Sequence, residues 1–539
     1  MPLTISTQLL HATTSEGLRE YRAQAANADE VRHYHINTAM LDQPALQNLV
    51  KAAHTLGETA TALIAGSLLV VRDGPAAELV EDFDAFPAQL LAFFRQALID
   101  GWIYATGDDG RFYPELVTRI SATPGIPGRS SPSAMLHTQA YGYSNEDSYK
   151  AKYGPQVLAH AFLPQDVLGH RIGDVLAARG LYHETPALKA AHMASLARHR
   201  EVVQHAFSQQ FRLHGATYCY EENNYRRRGL PLDGRKVIHD LEPADYAAFT
   251  HHAESEITAE AGEPHGNAAI PEHPLTRVFD LKTHEFLWVH SDGLTPYRYD
   301  QSLRHKLVLP ETHRELLDVL TTDIDVLVDD LIEGKSAGNV ILCKGRAGVG
   351  KTLTAEVYAE LTERPLYAIH SGNLGTVPEQ INKNLQKIFM QAKRWNCVLL
   401  LDEADIFVMQ RAANIEQNAI VAEFLRTLEY FDGLLFMTTN RPDDIDDAII
   451  SRCAAIIDYP IPGPEASVAI WRVMAAQYQA GLDDALIAEL VRSFPGIAPR
   501  DIKMLLRLAL RVAKKRGMPL SMEIFWQCAM FRAVTAASN

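Results

Sequence analysis

Along the C-terminal half of the chain, short unbroken apolar runs alternate with stretches whose apolar residues recur every three or four positions. Asn339-Val340-Ile341-Leu342-Cys343, Cys397-Val398-Leu399-Leu400-Leu401 and Leu434-Leu435-Phe436-Met437-Thr438-Thr439 carry no charge. Such runs predict strands buried on both faces, as in a parallel sheet covered by helices. Ala455-Ile456-Ile457-Asp458-Tyr459 predicts a further strand, ended by the turn residues Pro460, Pro462, Gly463 and Pro464. Ile381, Leu385, Ile388, Phe389 and Ala392 share one helical face and read as core. After Pro464 the spacing predicts three or four amphipathic helices, one of them marked by Ile502, Leu505, Leu506, Leu508 and Ala509.

Toward the N-terminus the pattern is mixed. Ala187, Leu188, Ala191, Leu196, Val203 and Phe207 predict a long amphipathic helix. Val278-Phe279-Asp280-Leu281 and Phe286-Leu287-Trp288-Val289, around Lys282-Thr283-His284, predict a β-hairpin. The acidic stretch from Glu254 to His273, rich in Ala, Gly and Pro, predicts a mobile loop. The longest apolar stretch, Ala60 to Val71, is too short and too mixed to cross a bilayer. Met1-Pro2-Leu3-Thr4 opens neither the charged nor the apolar region of a signal peptide.

The run ending at Cys343 leads into Gly345-Arg346-Ala347-Gly348-Val349-Gly350-Lys351-Thr352, a G-x-x-x-x-G-K-[ST] pattern between strand and helix. Its glycines let the loop curl so that backbone N–H groups face phosphates. Lys351 is placed to reach the β- and γ-phosphates and Thr352 to hold Mg²⁺, with the helix start, through Leu353, adding its positive end. The pattern predicts nucleoside triphosphate binding. The run ending at Leu401 delivers Asp402 and Glu403 to the same sheet edge. Asp402 there would hold Mg²⁺ through water, and Glu403 would orient and deprotonate the attacking water.

With Asn440 after the next strand, then Thr439-Asn440-Arg441-Pro442, Asp446, Ala448 and Arg452, the ordered set resembles the AAA branch of the AAA+ ATPases over about residues 306–539. The resemblance implies an α/β fold: a P-loop AAA+ module with a parallel sheet sandwiched by helices in 306–463 and a helical lid in 464–539. A mixed α+β N-terminal region, 1–305, precedes it. It also implies ATP and Mg²⁺ as cofactors and a homo-oligomer, usually a hexameric ring, that remodels other proteins. Asn440 matches the sensor 1 position, and Arg452 matches an arginine finger that acts in trans on a neighbour's γ-phosphate. A second finger is absent, because Ala455 and Ile456 stand there. The segment matching the first pore loop, Ser371-Gly372-Asn373-Leu374-Gly375-Thr376, has Leu374-Gly375 but no aromatic residue, which weakens a grip on substrate. His370 stands where many members restrain the catalytic glutamate; it either does so to Glu403 or caps a strand end. Arg500, after Pro495-Gly496-Ile497-Ala498-Pro499, is either a sensor 2 contact to nucleotide or an exposed first-turn arginine. Trp288-Val289, Leu294-Thr295-Pro296-Tyr297 and Lys306-Leu307-Val308-Leu309-Pro310 are similar to a segment of an AAA subgroup best known from fungi.

Composition adds limits. A chain of 539 residues accommodates about three domains. A net charge of −15 disfavours a nucleic-acid motor, and Arg226-Arg227-Arg228 and Lys514-Lys515-Arg516 read as solvated faces. Five cysteines without paired spacing suit a reducing cytoplasm. Of 22 histidines, 21 precede residue 314, which marks the N-terminal region as having a separate history or role. His33/His35, His192/His199 and His251/His252 lack metal-ligand spacing. Tyr141, Tyr143, Tyr149 and Tyr153 form a cluster that either contacts a partner or packs back onto its own domain. The expected function is a ring-forming, Mg²⁺-dependent ATPase that remodels a protein client recruited by residues 1–305. The alternative is a nucleotide-gated switch or scaffold that pulls on nothing.

Overall fold

The three charge-free runs join two further strands in one five-stranded sheet whose pairings are all parallel, in the order Leu366–His370, Val398–Asp402, Leu434–Thr439, Asn339–Gly345, Ala455–Tyr459. Successive side chains point to opposite faces. Ile341, Cys343, Leu400, Phe436 and Ile457 therefore pack with Ala355, Val357 and Tyr358 of the helix Lys351–Leu361. Val340, Leu342, Leu399, Leu401, Leu435 and Met437, on the other face, are equally buried. Both faces are covered, the condition under which an unbroken apolar run makes a stable strand. The helix Pro378–Arg394 buries Ile381, Leu385, Ile388, Phe389 and Ala392, the face read as core. Because the strands are parallel, Gly345, His370, Asp402 and Thr439 all end at one edge of the sheet.

This computed structural model describes residues 3–26, 32–72, 78–97, 99–107, 110–126, 129–143, 153–218, 230–242, 251–259, 263–322, 339–375, 378–410 and 415–531. Tyr149, Arg226-Arg227-Arg228 and Thr376 lie outside them. By contact the chain divides into two units, Met1–Phe207 with Phe211–Thr295, and Ser208–Gln210 with Pro296–Asn539. Residues 296–305 thus cluster with the C-terminal unit. That unit ends in four helices, Pro464–Tyr478, Asp484–Ser493, Pro499–Arg516 and Met522–Met530, around Trp471, Leu490, Leu505, Leu506 and Phe525.

The N-terminal unit is mixed α+β. One antiparallel sheet runs in the order Tyr153–Phe162, Ser133–Tyr143, Phe112–Thr123, Trp102–Thr106, Leu181–His183. Tyr143 faces Tyr153 in register, so these tyrosines stand on paired strands. The expected hairpin is Leu275–Asp280 with Phe286–His290, and its second strand also pairs with Gln210–Tyr218. The expected helix, Pro186–His205, buries Leu188, Leu196 and Val203, and with them His192 and His199.

The mobile loop expected from Glu254 to His273 is corrected: His252–Ser255 and Gly266–Ala269 form an antiparallel ribbon. Distant groups hold it. Ser255 Oγ donates to the Val117 carbonyl at 2.6 Å, the Glu256 N–H to the Thr118 carbonyl at 2.9 Å, and Trp102 Nε1 to the Ala269 carbonyl at 2.9 Å. Among the described residues no helix is long and apolar enough to cross a membrane. Nor do those residues place three or more His, Cys, Asp or Glu where they could hold a metal ion.

Candidate functional site

The loop after the strand Asn339–Gly345 is shaped by glycine. Gly345 and Gly348 have φ of +145° and +83°, a region that side chains rarely tolerate. A Cβ on Gly345 would lie 2.5 Å from the Tyr459 carbonyl oxygen, and one on Gly348 would lie 2.9 Å from Arg500 Cβ. The loop therefore curls tightly between the last strand of the sheet and the lid helix Pro499–Arg516.

Lys351, at the start of the following helix, turns back under this loop. Its ammonium donates to the carbonyls of Gly345 at 2.8 Å and Arg346 at 2.7 Å, and to Asn440 Oδ1 at 2.9 Å. Burial pulls its pKa below the ordinary lysine range, against the opposing pull of Asp402 and, more weakly, Asp405. The Thr352 hydroxyl donates to Asp402 Oδ1 at 2.9 Å, and Thr438 donates to the same oxygen at 2.6 Å. Lys351 and Asn440 are 89 positions apart in sequence, Thr352 and Asp402 are 50 apart, and the sheet edge brings all four together.

Glu403 follows Asp402 with an exposed side chain and φ of +54°. Its N–H donates to Thr438 Oγ1 at 3.0 Å. A left-handed backbone at a non-glycine residue costs about 1–2 kcal/mol and concentrates at functional positions. Asp405 was not singled out from the sequence, yet it holds the next strand end: Oδ1 accepts from Thr439 Oγ1 at 2.5 Å and from the Asn440 N–H at 3.1 Å. It thereby fixes the residue that meets Lys351. Its signal was the third acid of Asp402-Glu403-Ala404-Asp405, standing in the first turn of the short helix Asp405–Val408.

Arg452 lies apart from this cluster. Nη1 donates to the Ala448 carbonyl at 3.0 Å and Nη2 lies 3.8 Å from Glu429 Oε2, with 34% of the side chain exposed. Neither partner belongs to the phosphate loop. Arg500 meets that loop through its backbone, donating its N–H to the Gly348 carbonyl at 3.1 Å, and its side chain is exposed.

His370 and Leu374 stand at the two ends of the turn that follows the strand Leu366–His370. Leu374 is fully buried at the end of the 3₁₀ turn Ser371–Leu374, and its carbonyl accepts from Asn384 Nδ2 at 3.1 Å. An isolated leucine beside the core gains about 1.5–3 kcal/mol by burial, so its side chain packs inward and is no surface grip; Gly375 is exposed. His370 is in register with Asp402, and its Nδ1 lies 4.0 Å from Asp402 Oδ2. The acid it faces is Asp402, because the chain turns at Glu403.

Residues 341–461 match the family described as "ATPase family associated with various cellular activities (AAA)". The chain is 26% identical over 196 residues to Fidgetin-like protein 1 of Drosophila melanogaster, covering 34% of this chain and 37% of that protein. It is 28% identical over 218 residues to ATPase family AAA domain-containing protein FIGL1 of Arabidopsis thaliana, covering 36% and 31%. With the ATP-dependent zinc metalloprotease FtsH of Protochlamydia amoebophila (strain UWE25) the identity is 26% over 190 residues, covering 33% and 21%. The match therefore spans only 21% to 37% of these relatives' own length. A solved structure, "Crystal structure of FIGL-1 AAA domain in complex with ADP", aligns with 43% of this chain and 84% of that one, at 19% identity. Its TM-score of 0.35 is too low to add to the fold argument.

Proposed function

We infer that this chain, which carries an AAA ATPase module in residues 341–461, hydrolyses ATP in a homo-oligomeric ring, expected to be a hexamer. It remodels a protein client recruited by residues 1–305. The observation that carries this reading is the convergence of Lys351, Thr352, Asp402 and Asn440 at one sheet edge. The curled loop from Gly345 to Gly350 and the buried ammonium of Lys351 suit the phosphates of a nucleotide. The Thr352 hydroxyl and Asp402 carboxylate, already sharing a hydrogen bond, are the hard oxygen donors that suit Mg²⁺, which supplies charge neutralisation at the β- and γ-phosphates when bound. Glu403 takes the proton of the attacking water and Asn440 orients that water. Arg452 of a neighbouring copy meets charge developing at the γ-phosphate. The free thiols of Cys343, Cys397, Cys453 and Cys528 fit a cytoplasmic location.

Burial of Leu374, in a segment without an aromatic residue, favours a second reading: ATP gates assembly and no polypeptide is threaded. The active site is tested first. Lys351→Ala should abolish ATP binding, while Glu403→Gln should bind ATP and lose hydrolysis by about two to four orders of magnitude. Near-normal turnover in Glu403→Gln would remove that residue from the chemistry. Turnover stimulated by a client that crosses the ring supports remodelling; slow turnover that follows oligomerisation alone supports the gated scaffold.

A further inference from the structure

The helix that begins at Lys351 and Thr352 ends at Leu361, roughly 16 Å away at 1.5 Å per residue. Its far end carries an unusual group. Glu360 is 8% exposed and lies in the last turn, where the helix dipole disfavours a negative charge. A buried carboxylate there needs partners, and residues 297–301 supply them. Oε1 accepts from the Tyr297 hydroxyl at 2.6 Å, and Oε2 accepts from the Asp300 N–H at 3.0 Å. Gln301 Nε2 donates to the Glu360 carbonyl at 3.2 Å and the Leu361 carbonyl at 3.4 Å, two of the acceptors that a helix end leaves open. It also reaches Glu363 Oε1 at 3.2 Å.

The same segment holds Gln210. The Tyr297 N–H donates to the Gln210 carbonyl at 2.9 Å, and the Tyr299 hydroxyl donates to Gln210 Oε1 at 3.4 Å. The two tyrosine rings meet edge to face at 5.0 Å. Residues 208–210 and 296 onward belong to the C-terminal unit, so the chain passes between units at 207–208, 210–211 and 295–296. The passages at 210–211 and 295–296 are at or next to a residue held in this cluster, and the one at 207–208 lies two residues from Gln210.

We propose that Glu360 is a positioning residue that latches residues 297–301 and Gln210 to the helix starting at the nucleotide site, coupling nucleotide state to the segments from which the N-terminal unit is suspended. The inference rests on the nucleotide-site reading above. The helix is the rigid link and the latch has two states, bonded and released. Whatever shift nucleotide imposes on the latch, the latch imposes in return on nucleotide affinity.

The test uses the full chain, a fluorescent ADP analogue and amide hydrogen exchange. In the parent, nucleotide should change exchange across residues 297–303. Glu360→Ala should abolish that change and shift the ADP dissociation constant by about fivefold or more, the lower end of ordinary coupling. Glu360→Gln, which keeps one acceptor oxygen, should lie between them. Thr362→Ala is the control, since Thr362 Oγ1 donates to the Tyr358 carbonyl at 2.7 Å at the same helix end without joining the latch; its affinity should stay within about twofold. If Glu360→Ala does not fold, Tyr297→Phe removes one latch bond and keeps the ring contact. Parental affinity and parental exchange changes in the latch variants overturn the proposal, as does an equal shift in Thr362→Ala. If the parent binds ADP no better than Lys351→Ala does, the nucleotide-site reading itself has failed and the latch falls with it.

Discussion

At the scale of single residues, the proposed role of Glu403 would work against stability. Its left-handed backbone costs about 1–2 kcal/mol, whereas glycine would adopt φ of +54° freely at an entropic cost of about 0.5–1 kcal/mol. Glu403→Gly should therefore stabilise the C-terminal unit by about 0.5–1 kcal/mol in denaturant unfolding while removing hydrolysis. A loss of stability would mean that the side chain, and not strain, decides this position. The residues legible in the sequence were those fixed by spacing: Lys351 and Thr352 in a loop motif, Asp402 and Asn440 at the ends of charge-free runs. Side-chain direction was not legible. Leu374 turned inward, His370 met Asp402, and Asp405 closed the site from a position whose partners lie 34 and 35 residues away. No local pattern encodes such contacts.

Elements were legible where burial is uniform. Strands covered on both faces must be apolar throughout, and the parallel sheet could be read from three runs. The ribbon His252–Ser255/Gly266–Ala269 could not, because its strands are short, polar and held by groups such as Val117 and Trp102. The helix Pro186–His205 also hid something, since its buried face includes histidines. Burial, with a small push from Arg200, lowers the pKa of His192 to about 4, and burial lowers that of His239, at the end of the strand Leu230–His239, to about 4 against a hydrogen bond to the Ala206 backbone. Both are neutral in the folded and unfolded chain at pH 7. Below about pH 6.5 the unfolded chain takes up protons that the folded chain refuses, so stability falls as pH falls. The loss is about 2–3 kcal/mol for each group by pH 4.5. Denaturant unfolding of the N-terminal unit at pH 7, 5.5 and 4.5 should show this decline. His192→Phe, which can keep an aromatic edge toward Trp102 and Tyr104, should make it shallower. A stability unchanged from pH 7 to 4.5 would contradict the burial of neutral imidazoles.

For the whole molecule, the decisive question is whether one chain suffices. Lys351, Thr352, Asp402 and Asn440 meet within a single copy, but Arg452 is held by Ala448 and Glu429 of its own chain and touches none of them. If Arg452 serves phosphoryl transfer as proposed, its place away from its own phosphate loop puts its target on another copy. Two defective chains can then complement each other. Arg452→Ala keeps an intact phosphate loop and lacks a finger, whereas Lys351→Ala has a finger and lacks a working loop. Each alone should turn over slowly, with ATP binding retained in Arg452→Ala and lost in Lys351→Ala. Mixed in equal amounts with subunit exchange demonstrated, they form interfaces in which an intact loop faces an intact finger. In a random ring about one interface in four has that pairing, so activity should recover to as much as about a quarter of the parent if interfaces act independently, given that one finger contributes about 10³–10⁵ in rate. A mixture no faster than either variant alone would mean that Arg452 acts within its own chain or not at all. It would also remove the strongest argument for a ring.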